Sequence, residues 1–374
     1  LSARDRQLAF NETRDRHVTS ECRALFGTEA AGKAVDKLLP DALAPRIERC
    51  AYRSFDRQWL FADNRLGDYL RPSLWRAQGK RQVFLSTSFQ RSLDSGPALT
   101  CSAFVPDRNH FCNRGAKDTV PLYRTADAAE ANVLPGLLRL LGEAYKRDVT
   151  PEDFLAYVYG ALAQPAFTAR FAKELETREL RVPITKDAAL FQKVRHVGAR
   201  LLWLHTYGER FVPQGKQRAY VPPGQARCTK AVAGDAEGYP EAFDYSEATR
   251  TLHVGEGEFA PVAPEVYEFE VSGLKVVQSW LRYRIKKGAG KKSSPLDDIR
   301  PGRWTSQFTS ELLELLWVLE ATVAGYPEQA KLLEAVLAGE CFHAGELPPV
   351  PDYMRKPPKR PPASAGLFDA TEDD

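Results

Sequence analysis

Paired cysteines are missing from this sequence. The six present, at positions 22, 50, 101, 112, 228 and 341 of 374 residues, form no Cys-x-x-Cys spacing. That excludes a disulfide framework and fits free thiols in a reducing cytoplasm. No apolar run approaches the roughly 18 residues that a membrane span needs, and the start is polar from Ser2 onward, without a signal peptide. Methionine is almost absent. With Leu1 first and Met354 the sole methionine, the chain reads as a piece of a longer polypeptide or as one trimmed at its start. A strong charge of one sign is lacking too: the net +3 is too small to argue for nucleic acid by itself.

What the sequence does have is enough apolar residue, 43%, to bury a substantial core, and charge sorted into blocks. From Arg46 to Arg124 there are fourteen Lys/Arg against seven Asp/Glu, and from Arg282 to Lys292 six basic residues and no acid. Between Asp235 and Glu270 the balance inverts, with ten acids against Arg250 alone. Such segregation predicts at least one face of strong positive potential.

The patterning divides the chain into five stretches. Residues 1–45 are a helical lead-in, with Gln7–Phe10 apolar and Thr13 capping a helix to about Phe26. Residues 46–130 change to a period of two, with strands over Ile47–Phe55, Gln58–Ala62, Val83–Thr87, Thr100–Val105 and Val120–Tyr123. Residues 131–212 are helical. Leu134, Leu137, Leu138 and Leu141 share one face, Thr150-Pro151-Glu152-Asp153 is a helix start, and Thr185–Leu204 a long helix. Residues 213–345 comprise a loop (Pro213–Pro240), a hairpin of Arg250–Val254 and Val266–Val271, a helix to about Arg284, and two helices at Thr305–Ala324 and Glu328–Ala338. Residues 346–374 are a Pro- and charge-rich tail. The expected fold is α+β: a β-rich lobe, a helical lobe, a second small β-hairpin region and C-terminal helices.

The most distinctive segment is Tyr52-Arg53-Ser54-Phe55-Asp56-Arg57-Gln58-Trp59-Leu60-Phe61, two short strands with aromatics on one side and arginines on the other, followed by Arg65, Arg71 and Arg76. Arginine suits a phosphate clamp and bidentate reading of guanine alike. Two readings stand side by side. The arginines project toward DNA, or they pair with Asp56 and its neighbours and hold a turn.

This segment resembles the Tyr-Arg-Pro-Phe-Asp signature of type ISP restriction–modification specificity domains, with Ser54 where proline is usual. Further blocks resemble that family in order. They are Asp63 to Trp75, Val105-Pro106-Asp107 through Tyr123, Gly160 through Phe171, Arg181 through Phe191, and Pro264 through Leu281. The resemblance covers about residues 1–320. It implies a C-terminal module that recognises double-stranded DNA for an adenine-N6 methyltransferase and a helicase/nuclease, in the same or a partner chain, as part of phage defence. S-adenosylmethionine and ATP/Mg are then expected only in those partner domains, with no cofactor and no metal in this chain. The expected DNA-binding residues are Arg53, Arg57, Arg65 and Arg71 near the signature, Arg108, Asn109 and Arg114 in the following polar loop, and Lys286, Lys287, Lys291 and Lys292 on the backbone.

Motifs for chemistry are weak by comparison. Val254-Gly255-Glu256-Gly257 lies between strands, with no helix following for a cofactor, and none of the Pro-Pro pairs beginning at 222, 348, 357 and 361 has the preceding Asp/Asn and following aromatic of a base-flipping methyltransferase. Pro106-Asp107 lacks an acid-x-Lys nuclease partner. Cys101, His110 and Cys112 lack a second zinc-ligand pair, His196 and His205 lie too far apart on one helix to share a metal, and Ala31-Gly32-Lys33 lacks the rest of a phosphate loop. The chain is thus expected to recognise, not catalyse. The rival is a non-catalytic scaffold of a defence system, working through the acidic block and the terminal helices.

Overall fold

A computed structural model describes residues 33–34, 37, 47–63, 71–89, 92–93, 95–111, 118–177, 179–286 and 302–356. The lead-in helix, Arg65, Arg114, Lys287, Lys291, Lys292 and the tail beyond Lys356 lie outside them.

Strands β1 (Ile47–Arg53) and β2 (Asp56–Phe61) pair antiparallel, with Arg49 opposite Trp59 and Ala51 opposite Arg57. The two-residue turn between them puts Phe55 in the left-handed region, at φ 63°, which a bulky side chain tolerates only when its surroundings hold it. They do. The Phe55 ring is buried edge-on against His205 and Phe269 at 4.9 and 5.5 Å, and its carbonyl accepts from the Tyr207 hydroxyl at 2.6 Å. Helix α1 (Pro72–Arg76) follows, started by proline in its first turn and burying Leu74 and Trp75. Strands β3 (Phe84–Thr87), β4 (Thr100–Ser102) and β5 (Asp118–Pro121) form an antiparallel sheet in the order β4-β3-β5.

Helices α2 (Leu137–Tyr145), α3 (Pro151–Leu162), α4 (Pro165–Arg170), α5 (Ala172–Leu175) and α6 (Ala188–His205) come next. Thr150 and Asp153 form a reciprocal capping box on α3, and Asp187 caps α6. The α3 and α6 backbones meet where both have glycine. A Cβ on Gly198 would sit 1.7 Å from the Ala156 carbonyl, and one on Gly160 2.4 Å from that of Val194.

The region expected to be a loop contributes β6 (Arg227–Lys230), an outer strand of a four-stranded sheet with β7 (Phe243–Ser246), β8 (Thr251–Val254) and β9 (Gly257–Ala260), ordered β6-β9-β8-β7. The partners of β8 are therefore β7 and β9, not Val266–Val271. That stretch is the short helix α7 (Pro264–Tyr267) and strand β10 (Glu270–Val271), which pairs with β11 (Leu274–Lys275) ahead of α8 (Val276–Arg282). The two expected terminal helices are one, α9 (Ser306–Ala338), which runs through Pro327. An interior proline costs about 3 kcal/mol, but buried Leu312, Leu315, Leu316 and Leu319 on one side of it and Leu333 and Val336 on the other hold both halves in the core. The fold is α+β; the main core cluster reaches from Phe55 to Val336, and a smaller one gathers Cys50, Ala62, Leu74, Trp75, Phe84 and Val105. Among the described residues, no helix is long and apolar enough to cross a membrane.

Candidate nucleic-acid interface

The arginines of the signature hairpin, expected to project from it, turn inward instead. Arg57 Nη2 lies 2.6 Å from Glu314 Oε2, with its guanidinium 3.6 Å from the Tyr207 ring centre. Arg49 Nη2 lies 2.7 Å from Glu311 Oε1 and stacks on Trp59. Glu311 and Glu314, three apart, project from one side of α9 and bind the hairpin to the helix. Arg53, almost buried, pairs with Asp107 Oδ1 at 2.6 Å, donates to the Tyr52 carbonyl at 2.7 Å and lies over the Tyr52 ring. Their charged partners, Asp107, Glu311 and Glu314, lie far from the hairpin in sequence, while Asp56 pairs with Arg284.

Asp107 is the hinge of the site. Its carboxylate also accepts from the Asn109 backbone at 2.9 Å, and its carbonyl from His110 N at 3.1 Å. The resulting turn carries the half-buried side chains of Arg108 and Asn109. Strand β1 grips both flanks of the turn. Ala51 N donates to the Val105 carbonyl, Asp107 N to the Ala51 carbonyl and Ser54 N to the His110 carbonyl at 2.6 Å. The imidazole of His110 is fully buried, and burial pushes its pKa down to about 3, so it is neutral. Its Nδ1, 3.1 Å from the Ala51 carbonyl, then carries the proton. Arg71, in the left-handed region at φ 56°, reaches the same loop, donating to Thr119 Oγ1 at 3.0 Å and the Pro106 carbonyl at 3.4 Å.

The end of α8 closes on the hairpin. Tyr283 packs edge-on against Tyr52 at 4.9 Å, and Arg284 reaches Asp56. Lys286, two residues on, is exposed, with its Nζ 3.2 Å from Glu241. The structure thus brings together Arg53, Arg57, Arg71, Arg108, Asn109 and the first residues of the basic run. Sequence reasoning missed the groups that organise them, namely Arg49, Tyr207, Tyr283, Arg284, Glu311 and Glu314. Two acids set among the α9 leucines were the available signal; nothing in the sequence names their partners.

The residues weighed for other chemistry are otherwise engaged. His205 bonds Tyr159 and Thr322 in the core, with its pKa pushed by burial to about 3. The buried thiol of Cys101 is pushed up to about 12. Gly255 and Gly257 serve the β8–β9 turn. Among the described residues, no three His, Cys, Asp or Glu side chains are grouped to hold a metal. A cavity of about 680 Å³ opens between α4, α5 and the end of α9, lined mainly by Phe167, Phe171, Leu175, Val182, Pro183 and Leu337, and it contains none of the candidate residues.

Residues 3–315 match the model of the type ISP C-terminal specificity domain, and the chain belongs to that family. Its fold is similar to parts of three solved structures. The DrdV–DNA complex has a TM-score of 0.58 and 15% identity over 79% of this chain and 29% of that one. The ATP-dependent type ISP restriction–modification enzyme LlaBIII bound to DNA has a TM-score of 0.56 and 15% identity over 80% and 19%. A nuclease-deletion mutant of the type ISP enzyme LlaGI with a DNA substrate mimic has 0.52 and 17% over 78% and 21%. The chain therefore spans less than a third of the length of each. No curated protein matches the sequence.

Proposed function

We propose that this chain is the target recognition module of a type ISP restriction–modification enzyme: it reads a specific sequence in double-stranded DNA and delivers methyltransferase and helicase/nuclease domains to it. The observation that carries this reading is the turn Asp107–His110, in a chain of the specificity-domain family. It holds Arg108 and Asn109 half-exposed on a backbone fixed by the signature hairpin. Arginine and asparagine are the side chains suited to bidentate contacts with guanine and adenine edges. Arg114 and the Lys286–Lys292 run are further candidate contacts, the latter suited by charge to phosphates, where each neutralised phosphate releases counterions. Arg53, Arg57 and Arg71 serve this surface mainly by building it.

In this reading the chain has no catalytic centre and no S-adenosylmethionine site, works in the cytoplasm, and leaves cofactor chemistry to its partner domains. The test is duplex binding by the chain at low and high salt. Affinity falls steeply as salt rises above about 50 mM, and one sequence is preferred over others. Salt-independent association, or no binding at low salt, would replace this reading with the scaffold. Saturable S-adenosylmethionine binding in a calorimeter would overturn the assignment of cofactor to the partner domains.

A further inference from the structure

We infer that Ser54 is a positioning residue for base recognition: it acts through the backbone of the 105–111 loop and decides which base Arg108 and Asn109 prefer. The inference rests on the reading of that loop as a DNA-reading surface. Ser54 is buried at the tip of the signature hairpin and touches the loop twice. Its N–H donates to the His110 carbonyl at 2.6 Å, and its hydroxyl proton is shared between the carbonyls of Phe111 at 2.9 Å and His110 at 3.1 Å. Thr100 Oγ1, 3.3 Å away, supports the hydroxyl from the neighbouring sheet. The Phe111 side chain is itself fully buried. The turn is thus pinned immediately after its second reading residue.

Its front end is pinned by the same strand. Arg53 holds the Asp107 carboxylate, and Ala51 bonds both Val105 and Asp107. Ala51, Arg53 and Ser54 of β1 and its turn therefore fix a segment that would otherwise lose backbone entropy on ordering. Bidentate base contacts tolerate errors of only about 0.5 Å, so a loop ordered before binding converts its geometry into discrimination. A phosphate contact, which any duplex offers, has no such requirement. Loosening the clamp should therefore cost preference before it costs affinity.

The experiment selects duplexes from a randomised library with the wild-type chain and with Ser54→Ala, Asp107→Asn and Arg108→Ala, then titrates each protein on the winning duplex and its single-base changes. Asp107→Asn keeps an oxygen for the Asn109 N–H but drops the charge facing Arg53, and it lies at a half-exposed turn, so it tests the clamp even if Ser54→Ala folds poorly. Both clamp variants should lose about fivefold of discrimination at the base position that Arg108→Ala relaxes, more than they lose in affinity for unrelated duplex. If Arg108→Ala changes preference while both clamp variants keep the wild-type preference, or weaken every duplex equally, the inference about Ser54 is overturned and the reading of the loop stands. If Arg108→Ala keeps the wild-type preference, or the wild-type chain enriches no sequence, the reading of the loop fails and the inference falls with it.

Discussion

Arg284 and Asp56 form a bidentate ion pair in the interior, Nη2 to Oδ1 at 2.7 Å and Nη1 to Oδ2 at 3.3 Å, with side chains only 5% and 2% exposed. The guanidinium also lies 3.7 Å from the centre of the Trp280 ring and 3.7 Å from Glu311 Oε2. One residue thus ties the tip of the signature hairpin to α8 and α9. Through that tie, exposed Lys286 and the turn that holds Asp107 are both anchored to the signature hairpin.

Breaking the pair from one side leaves a charge buried without its partner. Arg284→Met should cost about 3–5 kcal/mol of stability, whereas the double variant with Asp56→Leu should recover a large part of it. Urea denaturation of the wild type and the three variants measures this. A single variant no less stable than the double would show that the pair is not the organising contact.

Much of this arrangement was legible in the sequence, and the limits are physical. Period-two patterning located β1 to β5 within a few residues, although β4 is buried along its whole length and β5 has no fully buried residue. The helix start at Thr150 was visible because its cap lies three residues from Asp153. What was lost depends on long-range partners. β6 is a short outer strand, mostly exposed, with no alternation to betray it. Pro327 reads as a break, yet packing on both sides carries α9 through it. At the site, Arg53 and Arg57 have the composition of a DNA clamp. Only the fold reveals that Asp107 and Glu314, 54 and 257 residues away, take up their charges.

The α3–α6 crossing gives a second prediction. Gly198 and Gly160 let the two backbones approach so closely that a methyl on Gly198 would lie 1.7 Å from the Ala156 carbonyl. Gly198→Ala must push the helices apart and disrupt the packing around Tyr157 and Phe191, whose rings stack at 4.6 Å. A loss of about 3 kcal/mol is expected, read as a lower urea midpoint. A variant as stable as the wild type would mean that the crossing is looser than described.

Acid should weaken the protein through two histidines. His110 and His205 are buried, and burial lowers both pKa values from the ordinary 6.5 to about 3. Between those values the unfolded chain binds protons that the folded chain does not, so stability is fully present above pH 6.5 and is lost as pH falls. At pH 5 each histidine should cost about 2 kcal/mol relative to pH 7. Most carboxylates are still ionised there, so denaturation at pH 7 and pH 5 isolates the effect. A free energy of unfolding that stays flat over that range would show that the imidazoles reach solvent.

The last prediction separates the arginines that build the surface from those that read. Arg57 is engaged on both sides, by Glu314 at 2.6 Å and by the Tyr207 ring. Its loss frees the hairpin from α9 and leaves Glu314 without its partner, but removes no group presented on the reading turn. Arg57→Ala should therefore lower stability and weaken binding to all duplexes alike. Arg108 stands half-exposed on a turn whose backbone is already fixed. Arg108→Ala should cost about 1–3 kcal/mol of discrimination at one base position, while retaining most of the affinity for unrelated DNA. Titrating both variants on the preferred duplex and on its single-base changes decides the matter. Should Arg57→Ala shift base preference while Arg108→Ala behaves like the wild type, the reading surface would lie on the hairpin and not on the loop, even with DNA binding established.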